Sequence, residues 1–443
     1  MLATLRRNPV ETWTEAHFEH LVLSGRTILG RAAVVSAPDG IRRILVENAG
    51  NYSKDALQRR ILAPGLGDGL LTARDVRWRV QRRAIAPLFS PKNVLSFGSA
   101  MAEAADALVS RWLRRRDGTI IDVQKAMARV TLDTLQRTIL TGGLGRTPDE
   151  FLAALTQYFE SIGQLDPFDL LDFPAWLPRI TRIRSRRSLT FFNDAVETIL
   201  ARRKALLTAE PQNAPQDLLT LLLQAQSSDS STGLTEAEVR ANIVTFIGAG
   251  HETTANALTW TLFLLAHSPE WQERLAKEAD SLAGASSEVQ AQSLVETRAV
   301  VEEAIRLYPP VASLSRAAVG PDDIHGHRIR KGTLVMIVPW ILHRHRRLWT
   351  DPDVFDPRRF LPGARETIDR FAYLPFGAGP RVCIGASFAL QEAAIVLTRI
   401  MRQFSLSPVA EHDVTPVQHI TLRPKGGMPL IVKRRRGAIH ANG

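Results

Sequence analysis

Cysteine occurs once in the 443 residues, at position 383. No disulfide can close within the chain, and no multi-cysteine zinc site can form. That usage suits a reducing, intracellular compartment, and a cytoplasmic location is the expectation. Long apolar runs are also missing. Nowhere do about 18 uncharged apolar residues follow one another, so no membrane-spanning helix is expected. The first 25 residues carry Arg6, Arg7, Glu11, Glu15 and Glu19, with no apolar core and no small-residue cleavage site, so no secretory leader is expected there. Internal repeats are absent, and with them solenoid architectures.

The chain holds 45% apolar residues, ample for a large core, and 56 basic against 45 acidic residues, a formal net charge of +11. A basic balance favours acidic partners. The basic residues are scattered, however, in small clusters at Arg114–Arg116, Arg182–Arg187, His343–Arg347 and Lys433–Arg436. They read as solvated helix faces rather than one nucleic-acid surface.

Apolar residues recur at three- and four-residue spacing over 94–113, 126–140, 186–206, 235–267 and 386–403, which predicts helices. Strand-like stretches are short: Thr27–Val35, Ile329–Val338 and Pro429–Val432. Ala209–Gly233, with Pro211, Pro215 and the polar run Ser227–Thr232, reads as a surface loop around one short helix. The whole is expected to be mainly α with a small β-rich region, one large domain over 1–443 with an N-terminal segment 1–25 and a basic tail 433–443.

The helix over 235–267 carries a conflict. Thr235 and Glu238 form a capping-box signature, and Pro269 marks the far end. About 32 residues at 1.5 Å each give roughly 48 Å, enough to cross a domain of this size. In its middle lies Gly248-Ala249-Gly250-His251-Glu252-Thr253-Thr254. A glycine inside a helix costs about 1 kcal/mol relative to alanine. Such a choice is expected where function overrides folding. The Thr253 hydroxyl can bond the Ala249 carbonyl four residues back, loosening the helix and opening a groove.

A second conflict is Phe376-Gly377-Ala378-Gly379-Pro380-Arg381-Val382-Cys383-Ile384-Gly385, an irregular loop running into the 386–403 helix. Cys383 sits at a helix N-terminus, where outward-pointing N–H groups favour thiolate over thiol. Gly379 and Gly385 would allow a bulky flat partner to approach the backbone. Arg381 offers a fork for a carboxylate. A lone cysteine behind such a loop would ordinarily be inert.

That loop resembles the cysteine-ligand loop of the cytochrome P-450 family, Phe-x-x-Gly-x-Arg-x-Cys-x-Gly, at all five fixed positions. Ala249-Gly250-His251-Glu252-Thr253-Thr254 is similar to the family's distal-helix signature. Glu303-Ala304-Ile305-Arg306 with Pro309-Pro310, and Phe355-Asp356-Pro357-Arg358-Arg359-Phe360, resemble its Glu-x-x-Arg helix and Pro-x-Arg-Phe segment. Trp78 and Arg82, four apart on one helical face, resemble its Trp-x-x-x-Arg helix. Pro339–Arg344 and Trp349–Pro352 also resemble family segments. The likeness runs in motif order from about Pro38 to Val432.

The resemblance implies haem b with Cys383 as the axial thiolate, and Phe376, Gly385 and Ala249 against the macrocycle. Thr253 and Glu252 would relay protons to dioxygen. Trp78, Arg82, Arg316 and Arg381 would meet the propionates. Glu303, Arg306 and Arg359 would form a buried charge triad with a structural role, and His343 would be structural rather than a metal ligand. By position, Thr245, Phe246, Ala249, Val311, Ala312, Leu314 and Ile420 should face the substrate pocket; most are apolar, which points to a hydrophobic substrate. The implied reaction is hydroxylation or epoxidation with dioxygen and two electrons from NAD(P)H. A separate reductase with a ferredoxin or flavodoxin would supply them, docking on Lys92, Arg344, Arg346 and Arg347. The protein is expected to be a monomer with no nucleic-acid partner. Alternatives are a hydrogen-peroxide-driven peroxygenase on the same fold, a cysteine hydrolase, for which no histidine lies in the cysteine loop, and a basic nucleic-acid-binding protein.

Overall fold

A computed structural model describes residues 4, 7–27, 30–141, 147–162, 180–226, 233–286 and 292–435. The helices that build the site are α1 (Ala56–Leu66), α2 (Asp75–Ile85), α3 (Gly98–Leu113), α4 (Val123–Thr138), α5 (Ile180–Ala209), α6 (Leu218–Gln224), α7 (Glu236–Ala266), α8 (Val295–Leu307) and α9 (Ala386–Gln403). Helix α7 is the axle. It packs against α4 on one side and against α8 and α9 on the other. Residues 241–248 are buried without a break, the polar Asn242 and Thr245 bonding back to the Glu238 and Ala241 carbonyls, so these turns are enclosed on every side as for a helix through a core. Its N-terminus forms the expected capping box: Glu238 N–H donates to Thr235 Oγ1 at 3.3 Å, and Thr235 N–H to Glu238 Oε2 at 2.9 Å.

The β structure is small and peripheral. One five-stranded sheet runs in the order β1 (Val22–Thr27), β2 (Gly30–Val35), β8 (Leu334–Ile337), β5 (Leu314–Ala318) and β3 (Tyr52–Ser53). A three-stranded sheet joins β4 (Thr119–Asp122), β12 (Pro429–Arg434) and β9 (Phe404–Pro408), and two hairpins pair β6 (Asp322–Ile324) with β7 (His327–Ile329) and β10 (Pro416–Gln418) with β11 (Leu422–Pro424). The architecture is therefore mainly helical with a small β-rich region, as the sequence implies.

Several boundaries differ from the periodicity. The strand expected over Thr27–Val35 is half of a hairpin: the chain reverses between Thr27 and Gly30, which pair with each other, and Gly30 has φ 115°. Ile329–Val338 is two strands in different sheets, separated by a turn at Gly332, φ 80°. The 94–113 helix breaks at Phe97, whose ring packs edge-on against Phe388 at 5.8 Å, between Pro91–Ser96 and α3. The Ala209–Gly233 segment is only partly a surface loop. Its helix α6 buries Leu218, Leu219 and Leu222. Asp217, at the N-cap of α6, accepts from buried Arg203 of α5 at 2.9 Å. The run Ser227–Thr232 and the tail beyond Arg435 lie outside the described residues.

Candidate active site

The cysteine loop is shaped from both ends. Cys383 N–H donates to the Phe376 carbonyl at 2.9 Å, closing the turn. Gly377 and Gly379 have φ 71° and 73°. A Cβ on Gly379 would stand 1.9 Å from the Leu45 carbonyl oxygen. The close approach that requires glycine at 379 is therefore to this chain's own backbone, not to a flat ligand. At Gly385 the nearest atom to such a Cβ is a Phe89 ring carbon at 4.0 Å, which leaves room beside it.

Cys383 combines two properties that usually exclude each other. Its side chain is exposed to solvent-sized contact, yet burial pushes its thiol up, against the Gly385 N–H and the Arg82 charge that pull it down. The side chain is thus open on one side within surroundings that are otherwise protein. Burial also outweighs the helix terminus, so the thiolate expected from the terminus alone is not favoured without a further cation at the sulfur. On the axle helix Ala249 is exposed and Gly250 and Thr253 are half-buried, directly after the fully buried run 241–248. Thr253 Oγ1 donates to the Ala249 carbonyl at 2.6 Å, the back-bond anticipated from the motif, while α7 stays helical through it. No gap in the helix accompanies the bond.

Glu252 is held from outside its helix. Thr421 Oγ1, between β10 and β11, donates to Glu252 Oε1 at 2.7 Å and accepts from Asn256 Nδ2 at 3.0 Å. This partner is not signalled in sequence, because Thr421 is 169 residues away.

A group of cations stands beside the cysteine loop. Arg381 lies 4.3 Å over the Trp78 ring and donates to the Ala73 carbonyl at 3.2 Å. Its pKa is drawn down to about 10 by burial and by Arg316. Lys54, which no motif marks, donates to the Leu71 carbonyl and is drawn down to about 7 by burial, Arg381 and Arg316. Arg316 of β5 is lowered by burial and supported by Asp55. Asp55 is itself committed, accepting from Gln58 N–H at 2.8 Å and from Ser315 Oγ. Three half-buried cations, with Lys54 and Arg381 both depressed by Arg316, need anions. Two carboxylates on a flat ligand would meet that need, and the open thiol would meet the iron, so these residues fit haem. Arg82 is placed differently from the other candidates: the charge it feels is that of Cys383.

Glu303 and Arg306 are both wholly buried. Arg306 Nε and Nη2 donate to Glu303 at 2.6 and 2.8 Å, and the remaining donors reach the His343, Pro352 and Val354 carbonyls at 2.7, 2.6 and 3.0 Å. Arg359 Nε stands 3.6 Å from Glu303. His343 Nε2 accepts from Leu374 N–H at 2.9 Å, and Nδ1 lies 3.2 Å from the Arg306 carbonyl, tying this network to the cysteine loop. Burial and Arg306 draw His343 down to about 3, so it is neutral.

Some expected positions are corrected. Thr245 is 4% exposed, its hydroxyl donating to Ala241 and pressed against Gly69; Phe246 is 7% exposed, packed on Phe89; Ala312 is 1% exposed, packed with Val10 and Leu422. All three are core. Ala249, Val311, Leu314 and Ile420 keep open surface. Arg344 is not a surface cation: it is buried between Trp340, at 3.9 Å, and Tyr308, at 5.5 Å. Arg346 is exposed but paired with Glu15 and Glu19. Lys92 and Arg347 are exposed. No described helix is long and apolar enough to cross a membrane.

The comparisons agree with the fold and the motif order. The family model described as Cytochrome P450 matches residues 27–431. Cyclooctatin synthase of Streptomyces melanosporofaciens is 30% identical over 390 residues, 87% of this chain and 83% of that protein. Cytochrome P450 4F8 of Homo sapiens is 28% identical over 417 residues, 89% of this chain and 80% of the relative. Among solved structures, the cytochrome P450DA heme domain superposes with a TM-score of 0.80 at 26% identity, covering 94% of this chain and 90% of that one. An open thiol at the head of α9, a threonine-bearing turn at the centre of the axle helix and the matched length together mean that the chain belongs to the cytochrome P450 family, the haem b-thiolate monooxygenases.

Proposed function

We propose that this enzyme oxidises a hydrophobic organic substrate by hydroxylation or epoxidation, using dioxygen and two electrons drawn from NAD(P)H through a ferredoxin or flavodoxin and its reductase. The observation that carries the reading is the Cys383 side chain, open within buried surroundings and directed at the head of α9. Haem, when bound, supplies the reductive splitting of dioxygen that delivers one oxygen atom to the substrate. Cys383 holds the iron, with the Gly385 N–H bonding its sulfur. Arg381, Arg316 and Lys54 hold the propionates; Trp78 stacks under Arg381, and Arg82 balances the thiolate. Phe376, Gly385 and Ala249 border the macrocycle. Thr253 presents its hydroxyl to the interior from its bond to Ala249, and Glu252, held by Thr421, carries protons inward to it. Glu303, Arg306 and Arg359 keep the loop behind the cysteine rigid. Val311, Leu314, Ile420 and the Ala249 methyl give the substrate an apolar wall, which supports the hydrophobic class. The electron carrier docks on exposed cations, of which Lys92 and Arg347 remain candidates, and the enzyme works as a cytoplasmic monomer.

The test is the reduced, carbon-monoxide-treated spectrum of the purified protein. A strongly red-shifted Soret band in the parent, lost in Cys383→Ala, is expected; an unchanged spectrum in that variant refutes the thiolate assignment. Turnover driven by peroxide, with none from NAD(P)H and redox partners, refutes the electron route.

A further inference from the structure

The hairpin of β10 and β11, which carries Ile420 and Thr421 in its turn, cannot hold itself in place. Each strand has three residues, and no other described strand pairs with either. An isolated pair of strands is marginal in water. In an extended strand the carbonyl of one residue and the N–H two residues on point to the same edge. At Pro416 and Gln418 of β10 that edge is met by a single side chain. Asn8 Nδ2 donates to the Pro416 carbonyl at 2.9 Å, and Gln418 N–H donates to Asn8 Oδ1 at 3.0 Å. The amide thus pairs with β10 as the backbone of a third strand would, with one donor and one acceptor in register.

Asn8 is 2% exposed. Its Nδ2 also donates to Glu11 Oε1 at 2.9 Å, and its backbone N–H donates to the Thr4 carbonyl at 2.7 Å, so the amide is held from its own side as well. Two residues on, Val10 is 7% exposed and packs with Ala312 and Leu422. The hairpin is moored to the same neighbourhood by Leu422 N–H, which donates to the Pro310 carbonyl at 2.9 Å, and by Gln418 Nε2, which donates to Ser313 Oγ at 3.3 Å. Residues 8–10 therefore fasten together the two segments, 310–314 and 416–422, on which Val311, Leu314 and Ile420 keep open surface. They lie outside 27–431, the stretch that the family model matches. The turn is closed on itself, His419 N–H donating to the Thr421 carbonyl at 3.0 Å, so a shift at Gln418 is carried to Ile420.

We propose that Asn8 is a positioning residue for substrate selection: by completing the edge of β10 it fixes where Ile420 stands, and so sets which shapes of hydrophobic molecule the pocket accepts. The clasp stands on the hydrogen bonds alone. Its effect on selection rests on the proposed oxygenase reading. One methylene more or less in an apolar pocket is worth about 10- to 200-fold in discrimination, so a wall that drifts by a fraction of that size should change a selectivity ratio severalfold.

Asn8→Leu keeps the volume of the amide and removes its hydrogen bonds. Hydrogen exchange, read by mass spectrometry on peptides spanning 416–424, should run about tenfold faster or more in this variant than in wild type, with α7 unchanged; equal rates overturn the clasp. Asn8→Ala carries the same test should the leucine variant not fold. Selection is read in the holoenzyme from Soret shifts with two probes, imidazole and N-octylimidazole, the first having no chain to meet the wall. The ratio of their dissociation constants should change about fivefold or more in Asn8→Leu. In an Ile420→Ala background the same substitution should change the ratio no further, because the effect passes through that side chain. An unchanged ratio in Asn8→Leu, or an equal change with and without Ile420, overturns the positioning role. A protein that binds no haem would defeat the oxygenase reading, and with it the role in selection, while the exchange rates would still decide the clasp.

Discussion

Replacing Arg306 with methionine tests whether the buried pair behind the cysteine loop holds the fold. The arginine uses all five of its donors: two on Glu303 and one each on the carbonyls of His343, Pro352 and Val354. Methionine keeps much of the volume and none of the donors. Glu303 would retain the Asp356 N–H, at 2.8 Å, and the more distant Arg359 charge, at 3.6 Å. Stranding one charge of a buried pair costs about 3–5 kcal/mol, and each orphaned carbonyl adds to that in the same direction, about 1 kcal/mol or more. Urea denaturation should therefore show a loss of at least about 3 kcal/mol. The loss should also depend on pH. Burial already raises Glu303, and Arg306 opposes it; without the arginine the carboxyl rises further. A raised carboxyl stabilises the fold below its unfolded value and withdraws that stability as pH climbs through the folded one. Arg306→Met should accordingly be least impaired in acid and worsen toward neutral pH. Adding Glu303→Gln removes the stranded charge and should recover part of the loss at neutral pH. A single variant within about 1 kcal/mol of wild type, or one whose deficit ignores pH, would refute the reasoning.

Thr253→Ala removes the hydroxyl presented to the interior but not the fold, so haem content should be unchanged while most electrons leave as peroxide; tight coupling in that variant counts against the relay. Lys54→Met deletes one of three cations and should speed haem loss to a scavenging globin by about tenfold or more, since a hydrogen bond to a charge is worth about 1.5–3 kcal/mol; an unchanged loss rate removes Lys54 from the cradle. Arg344→Glu should destabilise the protein by more than about 2 kcal/mol in urea, because it puts an unpaired carboxylate between two aromatic rings. A stable Arg344→Glu variant with altered salt dependence of reduction would restore Arg344 to the docking surface.

What the chain determines locally was legible in it. The capping box at Thr235 and Glu238, the back-bond from Thr253 to Ala249 and the pair formed by Glu303 and Arg306 each join residues three or four apart, and helical geometry alone brings such pairs together. The turn made by the cysteine loop follows from its glycines. Reversals inside apolar stretches were not legible: Thr27–Val35 alternates like one strand, and only pairing within the sheet shows where it folds back. The assignment of Arg344 to the surface failed for a related reason. A run of basic residues looks solvated until two aromatic rings from 4 and 36 positions earlier close over one of them.

The sequence by itself determined the class of the protein, its axle helix and the single sulfur on which its chemistry depends, because each is written in contiguous residues. Tertiary structure decided everything that depends on distance. It set Thr421 against Glu252 and Lys54 beside Arg381, and it buried Thr245, Phe246 and Ala312 in the core while leaving Ala249 open. Burial and charge act through space, and a linear chain records neither which segments will meet nor which of them will exclude water.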